Sequence, residues 1–361
     1  MSDRIQLLDL SKAQLQELLI SWGQPRYRAD QLWRWLYGEL QDDFEVMTNI
    51  PRALRARLAS EATAQALAPA VETRSQDRLT HKTLFRLADG QTIEAVLMLY
   101  KRRRTVCIST QVGCGMGCPF CATGLSDFTR NLTPGEIVAQ VLYFARRLAD
   151  PMSNGSDMVP IERPARVTNV VVMGMGEPLV NYEATWQALR TLMDQEGLNL
   201  GARHITVSTV GIVPGIDRFS QEPEQVGLAI SLHAADDALR DRLVPINRRY
   251  PLRELMAACH RYVRRTRRRI SFEYALMRGI NDAPEQAQQL ANLLNGLLCH
   301  VNLIPLNPVD GSPYQPSRAK DVEAFVHTLR DRKIPVTLRL RRGIDIEAGC
   351  GQLRQRVASR D

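Results

Sequence analysis

The sequence predicts an α/β protein: an incomplete βα barrel of six units, preceded by a small helical region and a β-hairpin extension. Three observations carry this. Residues 1 to about 70 repeat apolar residues at helical spacing, residues 71–104 hold two extended runs around a tight turn, and from Thr105 onward short apolar strands alternate with helices. The expected division is 1–70, a helical accessory region suited to RNA; 71–104, the hairpin extension; 105–355, the barrel; and 356–361, a tail.

In the first region "SKAQLQELLISWG" opens on Ser11 as a helix cap and stops at Gly23. "YRADQLWRWLYGEL" has helical periodicity, and "PRALRARLASEATAQAL" begins with Pro51 at a first turn. Trp33 and Trp35 could stack on bases, but aromatic residues at helical spacing are more often core, and core packing is expected of them. In "KTLFRLADGQTIEAVLMLY" the pair Asp89-Gly90 separates the two strands of a hairpin. The barrel strands read as "TVCIS", "VTNVVVMG", "HITVST", "VGLAISLH", "ISFEYALM" and "HVNLIPL", with "PVTLRL" as a short late strand. Helices such as "TPGEIVAQVLYFARRLA" and "NYEATWQALRTLMDQ" lie between them. Apolar strands separated by helices imply a parallel sheet covered by helices. In such barrels chemistry sits at the C-terminal ends of the strands. Residues 150–166, "DPMSNGSDMVPIERPAR", read as a surface insertion.

Hydrophobic residues make up 44% of the 361 and charged residues 24%, which suits a globular chain and excludes a disordered one. No apolar run has the length of a membrane-spanning helix, and the N-terminus lacks a signal-peptide core, so a cytoplasmic protein without a membrane partner is expected. The net charge is +8. Much of it is clustered, in Lys101-Arg102-Arg103-Arg104, in Arg261, Arg264, Arg265, Arg267, Arg268 and Arg269, and in Arg339, Arg341 and Arg342. Any one run suits a solvated surface; three together favour nucleic-acid phosphates.

The seven cysteines argue against a structural disulfide framework and for metal or thiol chemistry. "GCGMGCPFCATG" places Cys114, Cys118 and Cys121 in the spacing Cys-x3-Cys-x2-Cys, directly after the first barrel strand. Three thiolates can hold three irons of a 4Fe-4S cube and leave the fourth open to a small molecule. Zinc is the rival, but it prefers four protein ligands in a closed site. Glycines at 113, 115 and 117 let the loop wrap closely. "VVVMGMGEPLVNY" ends a strand on Gly174, Gly176, Glu177 and Pro178, a backbone that can approach a ligand amine with a carboxylate beside it. Ser208, then Ser231, Leu232 and His233, then Asn307, end three further strands and can converge on one cofactor. Singly, each suits a cap or turn equally well. Glu94 and Cys107 interrupt apolar strands, where a solvent-facing carboxylate and a core thiol are the plain expectations. Cys350 lies between Gly349 and Gly351, which reads as a bare, mobile stretch. Cys259 and Cys299 read as packing residues, and His81, His204, His260, His300 and His327 form no metal-spaced set.

The cysteine spacing at the end of a first barrel strand resembles the radical S-adenosylmethionine (SAM) superfamily. With "LTPGEIVAQV", "SFEYALMRGIND" and "GIDIEAGCGQL", the chain resembles the RlmN family over residues 1–355. That family comprises dual-specificity methyltransferases acting on carbon 2 of an adenine in 23S rRNA and in tRNA. The related Cfr family methylates carbon 8 and has alanine where this chain has Pro178.

The resemblance implies a partial (β/α)6 radical SAM barrel with one 4Fe-4S cluster on Cys114, Cys118 and Cys121. It implies SAM contacts at Gly176, Glu177, Ser208, Ser231, Leu232, His233 and Asn307, with two SAM molecules used per turnover. One SAM methylates Cys350; the other yields a 5′-deoxyadenosyl radical that takes hydrogen from the S-methyl group. The carbon radical adds to adenine, Glu94 accepts the ring proton, and Cys107 forms a disulfide with Cys350 to release the product. An external electron donor of the flavodoxin type and a monomeric state belong to the same expectation. The alternatives are a carbon-8 methyltransferase, another radical SAM enzyme, or a nucleic-acid-binding protein with a structural cluster. The last needs four cluster ligands and has no use for Cys350.

Overall fold

The computed structural model describes residues 4–150, 166–339 and 342–354. The expected insertion falls on 151–165 and the expected tail on 356–361, both outside the described residues. Helix α1 (Lys12–Ser21) starts in a capping box: Gln14 N–H donates to Ser11 Oγ at 3.3 Å, and Ser11 N–H donates to Gln14 Oε1 at 2.8 Å. Helix α2 (Tyr27–Trp33) passes into a single π turn, Arg34–Gly38. Pro51 stands one residue before α3 (Arg52–Glu61), as its cap rather than inside its first turn. Trp33 is buried with its ring 4.3 Å from that of Tyr37. Trp35 Nε1 donates to Asn49 Oδ1 at 2.6 Å. Both tryptophans therefore serve packing.

The ten strands of the main sheet, among the described residues, lie side by side in chain order. The first three are antiparallel: β1 (Leu67–Arg74), β2 (Thr80–Leu87) and β3 (Thr92–Leu99). β4 (Arg104–Cys107) pairs antiparallel with β3 and parallel with β5 (Asn169–Val172). Thereafter β6 (Ile205–Thr209), β7 (Gly227–Ser231), β8 (Ile270–Leu276), β9 (Cys299–Pro305) and β10 (Val336–Leu338) all run parallel. The hairpin is thus not a separate appendage: it continues the barrel sheet through the β3–β4 ladder. β1 also runs across the expected border at residue 70, because its pairing with β2 starts at Leu67.

Helices α4 (Pro134–Ala149), α5 (Tyr182–Met193), α6 (Val213–Phe219), α7 (Asp237–Leu243), α8 (Leu252–Thr266), α9 (Pro284–Leu294) and α10 (Ala319–Asp331) alternate with the parallel strands. They make six βα units, α7 and α8 both following β7, with β10 as the late strand. The antiparallel end is covered in the same way, since Phe85 of β2 packs edge-on to Tyr143 and Phe144 of α4 at 5.0 and 6.3 Å.

The N-terminal helices dock on α4 and α5. Gly135 N–H in the first turn of α4 donates to Asp9 Oδ1 at 2.9 Å, and Gln187 Nε2 donates to Asp9 O at 2.7 Å. Arg146 donates to Leu40 O at 2.7 Å and pairs with Asp42 at 2.9 Å. A surface ion pair is worth at most about 1 kcal/mol. Leu7 and Leu8 are 1% and 2% exposed, and full burial of a leucine is worth about 1.5–3 kcal/mol, so apolar burial dominates the docking. It also requires glycine at 135, where a Cβ would lie 2.7 Å from Asp9 Oδ1 and 2.9 Å from Leu8 backbone carbon. Gly135→Val should therefore destabilise the protein by about 1–3 kcal/mol. Thermal unfolding checks this, with faster proteolysis between residues 10 and 60 as the companion signal.

Candidate active site at the barrel mouth

Side chains alternate across a strand, so register decides which share a face. Leu84 is level with Glu94, Lys82 with Val96, Val96 with Cys107, and Cys107 with Val171. Val171 is level with Thr206, Ser208 with Ala229, Ser231 with Glu273, and Glu273 with Asn302. Lys82, Glu94, Cys107, Ser208, Ser231, Glu273 and Asn302 therefore share the inner face of the sheet. Contacts run along it: Ser208 and Ser231 hydroxyls at 3.2 Å, Asn302 Nδ2 donating to Glu273 Oε1 at 2.8 Å, and Lys82 Nζ to Glu94 at 3.2 Å.

The loop after β4 carries Cys114, Cys118 and Cys121. It packs so closely that a Cβ on Gly113, at φ +74°, would lie 1.9 Å from Asp127 O. Burial raises the Cys118 thiol well above its usual range, and Cys121 and Cys114 raise it further. Cys114 is pushed up to about 11, by burial first and then by Cys121 and Glu177. Among the described residues the three thiols do not converge on a single metal-binding point, but they lie within electrostatic reach of one another. Deprotonated sulfurs so placed call for a cation among them, and the donor set suits a thiophilic iron cluster. The residues fit the group that the spacing implies.

Opposite this loop, Glu177 is buried. Its Oε1 accepts Leu179 N–H at 3.0 Å and its Oε2 accepts Val210 N–H at 2.8 Å. Burial nonetheless holds its pKa up at about 7. Glu177 thus clamps the ends of β5 and β6 together. Gly176 makes room beneath it, since a Cβ there would lie 2.5 Å from Gln111 Cβ. His233 has φ +62°, and its Nδ1 accepts Ala275 N–H at 3.0 Å. Burial, with Arg240 behind it, lowers it to about 3, so it is a neutral ring. Phe120 of the cysteine loop packs edge-on to it at 4.8 Å. Leu232 places its side chain in the core, and its N–H donates to Glu273 O at 3.0 Å. Asn307 Nδ2 donates to Cys350 O at 3.1 Å, while its Oδ1 is buried without a partner, an acceptor free for a ligand.

The C-terminal segment 342–354 lies against β2, β3 and the cysteine loop. Arg342 donates to Leu99 O at 3.1 Å, Gln76 N–H to Asp345 at 2.8 Å, and Lys82 to Glu347 O at 3.3 Å. Ala122 N–H donates to Gly351 O at 2.7 Å, Thr123 to Leu353 O at 2.5 Å, and Arg354 N–H to Glu94 Oε2 at 3.1 Å. Cys350 therefore stands on a strapped segment, and the expectation of a bare, mobile stretch is corrected. Its glycines have steric reasons. A Cβ on Gly349 would lie 2.4 Å from Asn307 Nδ2 and 2.7 Å from Gln352 Oε1, and Gly351 has φ +80°. The strap also explains Glu94, which it buries along with the inner face of β3.

Cys350 is solvent-accessible but ringed by protein. Burial raises its thiol, Arg339 lowers it by charge and hydrogen bonding, and Glu273 and Cys121 raise it. Cys107 is buried and pushed up to about 12, by burial first and by Cys350 second, with Met173 backbone and Arg339 opposing. The two thiols thus face one space. All seven cysteines are free, so the expected Cys107–Cys350 disulfide is not formed in this structure. Cys259 and Cys299 are buried packing residues as expected.

The basic runs are less uniform than the sequence suggests. Arg104 is buried in β4, Arg261 forms a bidentate pair with Asp217 at 2.8 and 2.7 Å, and Arg268 donates to Gln225 O at 2.5 Å. Arg339 turns into the barrel, its Nε 3.8 Å from Glu273 Oε2. Arg341 lies outside the described residues. Lys101, Arg102, Arg103, Arg264, Arg265, Arg267 and Arg269 remain exposed. Sequence reasoning missed Arg339 and Glu273 as site residues. The available signal was Glu273 within the apolar strand "ISFEYALM", the same interruption that marks Glu94.

Residues 5–64 match the profile of the ribosomal RNA large subunit methyltransferase N-terminal domain, and residues 160–291 match that of the radical SAM superfamily. The second match begins beyond the cysteine loop. The crystal structure of a radical SAM methyltransferase from Sphaerobacter thermophilus is 53% identical, with a TM-score of 0.91 over 97% of this chain and 99% of that one. Fold and site thus define a radical SAM enzyme, a class that uses a 4Fe-4S cluster and SAM. A probable dual-specificity RNA methyltransferase RlmN of Chloroflexus aurantiacus is 50% identical over 96% of this chain and 92% of its own length. The dual-specificity RNA methyltransferase RlmN 1 of Myxococcus xanthus is 49% identical over 98% and 95%. This chain belongs to the RlmN family.

Two outcomes follow from the strap. Gly349→Ala should break the Asn307–Cys350 bond and speed amide exchange over residues 349–354, leaving the far side of the barrel unchanged. Arg339→Met should raise the Cys350 pKa and slow its alkylation by iodoacetamide at neutral pH by about tenfold, read by peptide mass spectrometry.

Proposed function

We propose that this chain methylates carbon 2 of an adenine in 23S rRNA and in tRNA, with Cys350 as the methyl carrier. The observation that carries this reading is the meeting of Cys350, Cys107, Glu94 and the three-cysteine loop at one barrel mouth, from stretches far apart in the chain. The names borne by relatives at about half identity support the RNA substrate.

Cys114, Cys118 and Cys121 would hold the cluster, and Glu177, Gly176, Ser208, Ser231, His233, Leu232 and Asn307 would border the SAM. When bound, these groups supply a methyl group and, after one-electron cleavage of a second SAM, a 5′-deoxyadenosyl radical. An aromatic adenine carbon is no nucleophile at neutral pH, which is why a carrier thiol and a radical are both needed. Cys350 is accessible; burial raises its thiol, and Arg339 beside it acts the other way, toward the thiolate required to accept a methyl cation equivalent. Cys107 stays a thiol while Cys350 carries charge. Methylating Cys350 removes one of the two causes that raise Cys107, so the resolving thiol ionises more readily once the carrier is loaded. Attack of Cys107 on the Cys350 sulfur would form a transient S–S bond as the sulfur–methylene bond breaks and that carbon becomes the product methyl; one proton and one electron are left over, the electron matching the one that SAM cleavage consumes. Glu94 is positioned as proton acceptor by Lys82 and Arg354 N–H.

The adenine must be flipped out to reach this mouth. The N-terminal helical region and the exposed arginines are the surfaces assigned to RNA backbone contact, with residues 71–104 and 105–355 building the catalytic part. The reading also includes a cytoplasmic monomer that receives electrons from an external, flavodoxin-type reductant.

The test is mass spectrometry of adenines from 23S rRNA and tRNA in cells lacking or expressing this chain. Loss and return of 2-methyladenosine is expected; 8-methyladenosine instead would assign the other carbon. Anaerobically reconstituted protein should hold about four irons per chain. The Cys107→Ala variant should remain covalently joined to RNA, and clean release from it would remove Cys107 from the resolving role.

A further inference from the structure

The exposed arginines cluster at the end of the barrel opposite its mouth, where the parallel strands all start. Lys101 and Arg102 lie in the turn that leads into β4 at Arg104. Arg264 and Arg265 stand in the last turn of α8, and Arg267 and Arg269 lead from it into β8 at Ile270. All six are exposed, and among the described residues none has an ion-pair partner. Carboxylates at this end are engaged elsewhere. Glu222 and Glu224, before β7, pair with Arg190 at 3.0 and 2.9 Å, and Asp331, closing α10, pairs with His327 at 2.8 Å. The connections that leave strands at the mouth show no such excess: Arg278 and Asp282 follow β8, and Asp310 and Arg318 follow β9.

Backbone geometry gives a second, independent sign. Arg267 caps α8 at φ +58° and Lys333 follows α10 at φ +59°, both in the left-handed region where glycine is the usual residue. Arg78, in the β1–β2 turn at the same end, has φ +57°. All three side chains are exposed. Each therefore carries backbone strain that glycine would relieve and that no burial offsets, which leaves the charge to account for the residue. This end is also remote from the chemistry. The seven residues of β8 put about 20 Å of strand between Arg269 and the mouth. The few nucleotides that deliver a flipped adenine to Cys350 do not reach so far.

We propose that this basic rim holds a second stretch of RNA, distinct from the one that presents the adenine, through phosphates met by Lys101, Arg102, Arg264, Arg265, Arg267 and Arg269. The inference rests on the RNA substrate proposed above and deepens it, since it separates the RNA that is held from the RNA that reacts. RNA fits better than other polyanions because five of the six cations are arginines. A guanidinium bonds a phosphate bidentately and stacks on bases, whereas an ammonium acts as a point charge. Phosphate contacts position a nucleic acid without reading its sequence. That suits a substrate large enough to extend from the mouth round to the far end of the barrel, and a short stem-loop at the mouth leaves the rim empty.

The experiment uses the full chain and two probes, a 23S rRNA transcript and a short stem-loop from it that carries the adenine. Binding to each is measured over a range of salt concentrations. The quadruple variant Arg264→Gln, Arg265→Gln, Arg267→Gly, Arg269→Gln should make the slope of log affinity against log salt shallower by about 3 on the transcript. Its slope on the stem-loop should match the wild type. Arg267→Gly alone should raise the melting temperature and still weaken transcript binding. An unchanged transcript slope in the quadruple variant would overturn the proposal, and rim-dependent binding to phosphatidylglycerol vesicles in its place would assign the rim to a lipid surface. An equal loss on the stem-loop would also overturn it, because the arginines would then hold the segment that carries the adenine. If the quadruple variant does not fold, the exposed pair Arg264→Gln, Arg265→Gln decides on a slope change of about 1.5. A wild type that methylates neither RNA removes the substrate reading, and the transcript slope still decides the rim.

Discussion

The site depends on one constraint: β4 to β10 run in the same direction, so all their C-terminal ends open on one side. Alternation along each strand then sends every second residue inward. Ser208, Ser231, Glu273, Asn302 and Cys107 meet by register, although the chain separates them widely. A parallel sheet needs a helix for each crossover. The outer layer thus follows from the same constraint and leaves the inner face for polar groups. Among the described residues the sheet is linear in its pairing and does not close. The open side lets a terminal segment enter, and residues 342–354 do so.

That segment changes the reading of the thiols. Free motion of Cys350 would cost conformational entropy at each encounter with a partner. Here Asn307, Ala122 and Gln352 hold its backbone, and its flanking glycines answer a close approach and a positive φ. Arg339 sits between Glu273 and Cys350, so one guanidinium serves both a buried carboxylate and a thiol. Glu273 keeps the arginine in place but also opposes the thiolate, and Asn302 takes part of its charge by hydrogen bonding. The charge around the Cys350 sulfur is therefore set by a chain of neighbours that begins on β9.

Much of this was legible in the amino-acid sequence, because it is local. The six βα alternations, the Asp89-Gly90 turn, the Ser11 cap and the buried Trp33 follow from periodicity and turn chemistry. The three-cysteine spacing pointed to a metal-binding loop, and family resemblance supplied the roles expected of Glu94, Cys107 and Cys350. Proximity and burial belonged to the tertiary structure. Arg339 reads as part of a basic run but points into the barrel, because β10 brings it level with the inner face. Arg240 is buried, its guanidinium donating to the carbonyls of Val210, Ser231 and Leu232. The glycines around Cys350 read as freedom and prove to be contact. A sequence records which groups are present and their local spacing. Only the fold determines which of them share a dielectric environment and a few ångströms of space, and the energies of charge and thiol chemistry depend on those two quantities.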